Sequence, residues 1–429
     1  MSIFSLKIDD IVTVKIEGLE NEGCGVAKVN GMIVFIPKAL VGEKVKIRIT
    51  EIKKNFARGK VIDIIEPSLK RIKSNCPYYE ECGGCNLRHQ SDAENLKFKK
   101  EKVETALRKI GKIEINVDDV IQSPKNDNYR NKASFKLEKD KIGFYSSGSY
   151  QLVDIENCKL LENEINDCLY VIRNYIKQNK NNVIKEITIK RGNALGKILI
   201  NVYSLDDSDI GIVNYLIENV NNIKTIIYNE KVVFGNGYIG QITNGLMFNC
   251  SYNSFFQVNS MQTEKLYSTA IKLAKLNKND VVMDLYCGTG TIASILSSYV
   301  KKVIGVEIVE NAIIDAKENL KINNINNVSF ICSDVTKAIS KIKEKIDVIF
   351  VDPPRKGIDR KAIAIIKKIN PKKIIYISCN PVTMARDLSY LNDLYNVEKV
   401  TPVDMFPKTA HVECVSVLHL KNLENKRRN

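Results

Sequence analysis

The apolar run IIYIS ends in Ser378-Cys379-Asn380-Pro381, which puts a cysteine where a strand gives way to a helix. A thiolate at the rim of a sheet is a nucleophile, and a uracil ring is a substrate that needs one. C5 of uracil is too weak a nucleophile to attack a sulfonium methyl group. Addition of a thiolate to C6 turns C5 into an enolate carbon, which does attack. After transfer, a base must take the C5 proton so that the thiolate can leave. Glu413, in His411-Val-Glu-Cys-Val, is the candidate base; His411 reads first as a structural histidine and second as a participant. A lone cysteine is more often a small buried apolar residue. The strand end followed by Asn-Pro is what favours the reactive reading here.

Other strand ends carry residues of a nucleoside site. Asp284-Leu-Tyr-Cys-Gly288-Thr-Gly290-Thr combines an acid with a glycine turn, and glycines there let a ligand approach the backbone at a helix N-terminus. Glu307 closes the next strand, where an acid accepts both hydroxyls of a ribose. The third glycine of a dinucleotide fingerprint is missing and Asp284 lies ahead of the turn, so S-adenosylmethionine, a cationic nucleoside, fits better than NAD. Asp334 follows the third strand as a contact to adenine or as a helix N-cap. The fourth strand ends in Asp352-Pro-Pro-Arg355-Lys-Gly357. The place after the prolines holds arginine, not the aromatic of adenine-amine methyltransferases, and the loop lacks the cysteine of RNA cytosine-C5 methyltransferases.

A second constellation is Cys76-x5-Cys82-Gly-Gly-Cys85. Three cysteines within ten residues plus a distant fourth suit an iron–sulfur cluster, whose ligands are all thiolates. Zinc also accepts four thiolates, though usually as two separated pairs.

These residues need elements to hold them. Residues 1–67 read as short alternating strands punctuated by glycine, an OB-like β-barrel of the kind that binds oligonucleotides. Residues 68–250 are a mixed α+β region with the cysteine cluster, a basic amphipathic helix over 95–112 and another near 168–178. Residues 251–429 alternate strand and helix and end in two strands, an α/β Rossmann-like domain on a seven-stranded mixed sheet whose ligands bind beyond the strand ends. The 429 residues carry 65 Lys+Arg against 50 Asp+Glu, a net charge of +15. By segment this is +5 over residues 1–75, +1 over 76–250 and +9 over 251–429. The excess points to a polyanion such as RNA met by the barrel and the last domain. No apolar run reaches the roughly 18 residues of a membrane span, and MSIFSLKIDD is not a signal peptide. A cytoplasmic protein is expected, with its other six cysteines (Cys24, Cys168, Cys250, Cys287, Cys332, Cys414) structural.

Taken in order, CxxxxxCGGC, FFQVN, DLYCGTGT, DPPRKG, SCNP and HVECV resemble the RNA 5-methyluridine methyltransferase family nearly end to end. The first 66 residues resemble its TRAM domain. The resemblance implies a class I methyltransferase domain, with Gln257, Tyr286, Glu307 and Asp352 contacting S-adenosylmethionine alongside Gly288 and Asp334 of the strand-end reading. It implies Cys379 as nucleophile and Glu413 as proton acceptor. It also implies a [4Fe-4S] cluster on Cys76, Cys82, Cys85 and Cys158. Tyr129-Arg-Asn-Lys132 is similar to a family segment that faces RNA; a solvated strand start is the alternative. The expectation is a monomer that methylates uracil C5 in 23S rRNA. A tRNA T-loop enzyme and a non-catalytic RNA-binding iron–sulfur protein are the rivals. The barrel, which the bacterial tRNA branch generally lacks, counts against the first, and Cys379, Glu413 and Gln257 count against the second.

Overall fold

The computed structural model describes residues 6–179, 183–338 and 342–422. The N-terminal strands are β1 (Ile11–Lys15), β2 (Gly18–Leu19), β3 (Gly25–Val29), β4 (Met32–Ile36), β5 (Lys44–Ile52) and β6 (Phe56–Glu66), in the order β1-β5-β6-β4-β3-β2. The sheet curls around Val14, Ile16, Val34, Ile36, Val45, Ile47 and Ile49. Alternation along β5 places Val45, Ile47 and Ile49 inside and Lys44, Lys46 and Arg48 in water. The two-residue strand β2 pairs with β3 at the edge of this six-stranded sheet.

Helix α1 (Asp92–Ala106) starts at the N-cap Ser91 and ends in a π-helical turn over Leu107–Gly111. The sequence places it in the middle region, as a basic helix. Its buried residues are Asn95, Phe98, Lys99, Lys102, Val103 and Ala106, and it packs on the last domain. Burying Val103 and Leu107 contributes about 1.5–3 kcal/mol each.

The middle of the chain is a second sheet: β7 (Lys132–Glu138), β8 (Lys141–Tyr145), β9 (Leu152–Asp154), β10 (Ile184–Arg191), β11 (Ile198–Ser204), β12 (Ile223–Tyr228) and β13 (Lys231–Gly235), ordered β13-β12-β11-β10-β7-β8-β9. One face is covered by α2 (Asn163–Asn179) and α3 (Ile212–Asn219). A hairpin, β14 (Tyr238–Thr243) with β15 (Leu246–Ser251), leads into the last domain.

That domain opens with α4 (Ser260–Ala274) and then alternates: β16 (Val281–Leu285), α5 (Thr291–Leu296), β17 (Lys302–Glu307), α6 (Glu310–Ile322), β18 (Val328–Cys332), α7 (Val335–Ala338), β19 (Val348–Val351), α8 (Arg360–Ile369), β20 (Lys373–Ser378), α9 (Pro381–Leu391), β21 (Tyr395–Val403) and β22 (Glu413–Leu420). The strand order is β18-β17-β16-β19-β20-β22-β21, with β22 antiparallel to both neighbours. Strands such as Val348–Val351 are buried on both faces because helices cover both. Among the described residues no helix is long and apolar enough to cross a membrane.

Candidate active site

Parallel register brings the strand ends into one row. Leu285 pairs with Val306 and Val351, and Val351 with Tyr376, so Tyr286, Glu307 and Asp352 emerge side by side. Ser378 pairs with Cys414 across β20 and β22; Cys379, one residue past its strand, therefore comes level with Glu413. Gln257, Tyr286, Gly288, Glu307, Asp352, Cys379 and Glu413 all line one cavity of about 610 Å³. Asp334 does not line it. Its carboxylate accepts from the Thr336 amide (2.8 Å), so the helix-capping alternative describes what it does, while its charge still reaches Tyr286.

The turn after β16 is conformationally demanding. Tyr286, Gly288 and Gly290 all have positive φ. A Cβ on Gly290 would stand 2.6 Å from Phe330, whereas one on Gly288 would meet nothing within 4 Å. Gly288 thus leaves open space at the start of α5, and Gly290 permits the packing beneath it. Glu307 is held in place by three amides, those of Gly288 (3.1 Å), Ile308 (2.8 Å) and Val309 (2.9 Å).

Acid groups dominate the electrostatics. Asp284 is fully buried and its carboxylate oxygens make no hydrogen bond of normal geometry; burial, then the charge of Asp352, push its pKa well above the carboxylate range. Burial pushes Asp352 up to about 7. Glu413 is pushed up to about 8 by burial and then by Asp352, with Arg355 opposing. The Cys379 thiol is pushed up to about 11 by burial, Glu413 and Asp352, again with Arg355 opposing. An open glycine cradle at Gly288, in a cavity lined by Glu307, Asp352 and Glu413, fits a cationic nucleoside and disfavours a pyrophosphate.

A second cavity, about 540 Å³, is lined by Cys76, Cys82, Cys85 and Cys158, with Arg88, Arg130 and Lys132. All four cysteines are free thiols, and burial raises Cys82, Cys85 and Cys158. The buried Arg88 guanidinium donates from Nε to Cys85 Sγ (3.4 Å) and from Nη2 to Asp127 (2.6 Å). Among the described residues no three His, Cys, Asp or Glu side chains stand close enough to hold one metal ion. Four thiols around a cavity of this size fit a cluster better than a single zinc ion.

The model of the tRNA (uracil-5-)-methyltransferase family matches residues 91–421, and that of the TRAM domain matches residues 7–62. The chain belongs to this methyltransferase family. An uncharacterized RNA methyltransferase of Clostridium tetani is 37% identical over 94% of this chain and 95% of its own. One from Halalkalibacterium halodurans is 37% identical over 96% and 98%. The solved structure of Pyrococcus abyssi tRNA (uracil-54, C5)-methyltransferase with S-adenosyl-L-homocysteine has the same fold, with a TM-score of 0.78 at 24% identity over 95% of this chain and 99% of that one.

Several residues of this methyltransferase's site carry no sequence signal of their own. Tyr267 is buried in the cavity wall that also holds Gln257, Asp352 and Glu413. Lys190 donates to the carbonyls of Ser251 (3.4 Å), Tyr252 (2.6 Å) and Ser254 (3.2 Å), fixing the loop that carries Phe255 and Gln257. Phe255 is largely exposed and lines both cavities. His411 also lines the first, T-shaped against Phe406, and burial pushes it down to about 4, so it is neutral near pH 7. Of the cysteines read as structural, Cys287 lines the active-site cavity and Cys332 is exposed. The Tyr129–Lys132 segment is not a plain solvated strand start. Tyr129 and Asn131 are buried, whereas Arg130 and Lys132 face the cysteine cavity.

Proposed function

We propose that this chain methylates C5 of a uridine in RNA, with 23S rRNA as substrate and S-adenosylmethionine as methyl donor. The observation that carries the reading is the register of Cys379 with Glu413 above an acid-lined cavity. Gln257, Tyr286, Gly288, Glu307 and Asp352 would hold the cofactor, which supplies an electrophilic methyl group and a positive charge. Cys379 adds to C6 of the flipped uracil, and the C5=C6 electron pair moves to C5 and its carbonyl as an enolate. Once C5 is methylated, Glu413 takes the C5 proton, the C5=C6 bond re-forms and the Cys379 thiolate leaves. The acids that raise the Cys379 pKa are the groups a bound cation offsets, so thiolate formation and cofactor binding support each other.

A tRNA uridine is the second reading. The Pyrococcus abyssi tRNA enzyme matches 95% of this chain, so a fold that includes the barrel accompanies a tRNA substrate in that protein. The barrel therefore does not choose between the two RNAs. Mapping of 5-methyluridine in both RNAs from a strain lacking the protein is expected to show loss at a 23S rRNA position with tRNA unchanged. Loss confined to tRNA overturns the rRNA assignment.

Cys76, Cys82, Cys85 and Cys158 would hold a [4Fe-4S] cluster beside Arg130 and Lys132, which line the same cavity. Protein purified without oxygen is expected to be brown and to carry iron and sulfide in equal amounts. Replacing any one of the four by Ala should bleach it. A colourless chain loaded with zinc is the result that overturns the cluster.

A further inference from the structure

The segment between β21 and β22 carries Phe406 and His411 into the cavity and delivers Glu413. It has no regular structure, so other groups must satisfy its backbone carbonyls. Donors from separate parts of the chain do so. Asn259 Nδ2 reaches Met405 O (3.0 Å), Lys99 Nζ reaches Phe406 O (2.9 Å) and the Tyr129 hydroxyl reaches Pro407 O (3.1 Å). The Leu87 amide reaches Lys408 O (3.0 Å), and Lys102 Nζ reaches Ala410 O (2.8 Å). Lys99 is fully buried and paired with Asp404.

Lys102 has a second partner. The same ammonium donates to Asn21 O (2.6 Å), in the barrel turn between β2 and β3. Two residues on, Gly23 has φ +84°, and a Cβ there would stand 2.6 Å from Leu87 and 3.9 Å from Ala410. Leu19, Leu87, Phe98 and Ala410 form one apolar cluster around this point. A barrel turn, helix α1 and the strand leader of Glu413 thus meet at one buried cation.

We propose that Lys102 is a positioning residue through which the barrel seats the Glu413 strand end, so that the barrel acts on proton removal as well as gripping RNA. The inference rests on the reading of Glu413 as the base. Misplacing a catalytic group by about 1 Å costs on the order of 10²-fold, and the loss falls on the step that uses the misplaced group.

The test uses full-length protein and RNA tritiated at uracil C5, following methyl incorporation and tritium release in a single turnover. In Lys102→Met, methyl incorporation stays near the wild-type rate. Tritium release slows about 10²-fold, methylated protein–RNA adduct accumulates, and RNA affinity is unchanged. Lys102→Arg, which keeps the cation, recovers part of the release rate. Gly23→Val leaves Lys102 in place and pushes the turn away from Leu87; it gives the same signature. Loss of RNA affinity with normal tritium release in both variants overturns the proposal, since the barrel then only grips RNA. If wild-type enzyme forms no adduct at Cys379, the reading of the reaction fails instead.

Discussion

Cys379→Ala is expected to lose methylation of RNA by on the order of 10⁴-fold or more, with cofactor affinity retained. The size of the effect follows from uracil chemistry: without addition at C6, C5 carries no charge with which to attack. RNA containing 5-fluorouracil makes the point directly. Fluorine replaces the proton that must leave, so the wild-type enzyme is held as a methylated adduct stable to denaturation. The alanine variant should form none, and a persisting adduct would falsify the role of Cys379. Cys287 lines the same cavity and could be imagined as a substitute, but it is buried, and burial with the charges of Asp284 and Glu307 drives its pKa well above the ordinary thiol value. The adduct peptide should therefore contain residue 379. Because the Cys379 thiol is pushed up to about 11, adduct formation rises with pH across the neutral range. With bound cofactor the rise occurs at lower pH.

The path of the chain around this cysteine was legible for a physical reason. Strands buried on both faces are written as short apolar runs, and in a parallel sheet the residue after each run lies at the ligand edge. Glu307, Asp352 and Cys379 could be placed from that pattern alone. Glu413 belongs to an antiparallel strand, and only the β20–β22 register shows that it stands level with Cys379. Helix α1 was legible in position but not in environment. Lys99 and Lys102 read as a charged face because their partners, Asp404 and the carbonyls of Asn21 and Ala410, are distant in sequence. Lys190 is hidden for the same reason: its acceptors are backbone carbonyls, which no side-chain pattern records. Asp334 shows the reverse case. An acid after a strand is ambiguous until the neighbour that uses it, here the Thr336 amide, is seen.

Glu413→Gln separates the two halves of the reaction. The amide keeps the shape of the side chain but cannot take a proton, so the first methyl transfer proceeds and turnover falls about 10²–10⁴-fold. The accumulating species is the C5-methylated, Cys379-linked RNA, which wild-type enzyme resolves. Normal turnover would leave Glu413 out of the mechanism and bring forward His411, the titratable group of that strand leader that lines the cavity. The same substitution carries a stability signature whose sign follows from burial. The Glu413 carboxyl is raised from 4.5 to about 8 in the folded chain. Below pH ~4.5 both folded and unfolded chains hold it protonated and there is no ionisation penalty. Between there and pH ~8 only the unfolded chain ionises, so wild-type stability declines as pH rises, by roughly 5 kcal/mol at the upper limit. Asp352, pushed up to about 7 beside it, shares that decline. Glutamine removes the Glu413 share, so the variant's thermal midpoint should exceed that of the wild type by more at pH 8.5 than at pH 5. Equal differences at both pH values would mean that Glu413 ionises freely in the folded enzyme. A carboxyl kept protonated by burial and by Asp352, and able to ionise beside a cation, is suited to a base needed only after the methyl donor has bound.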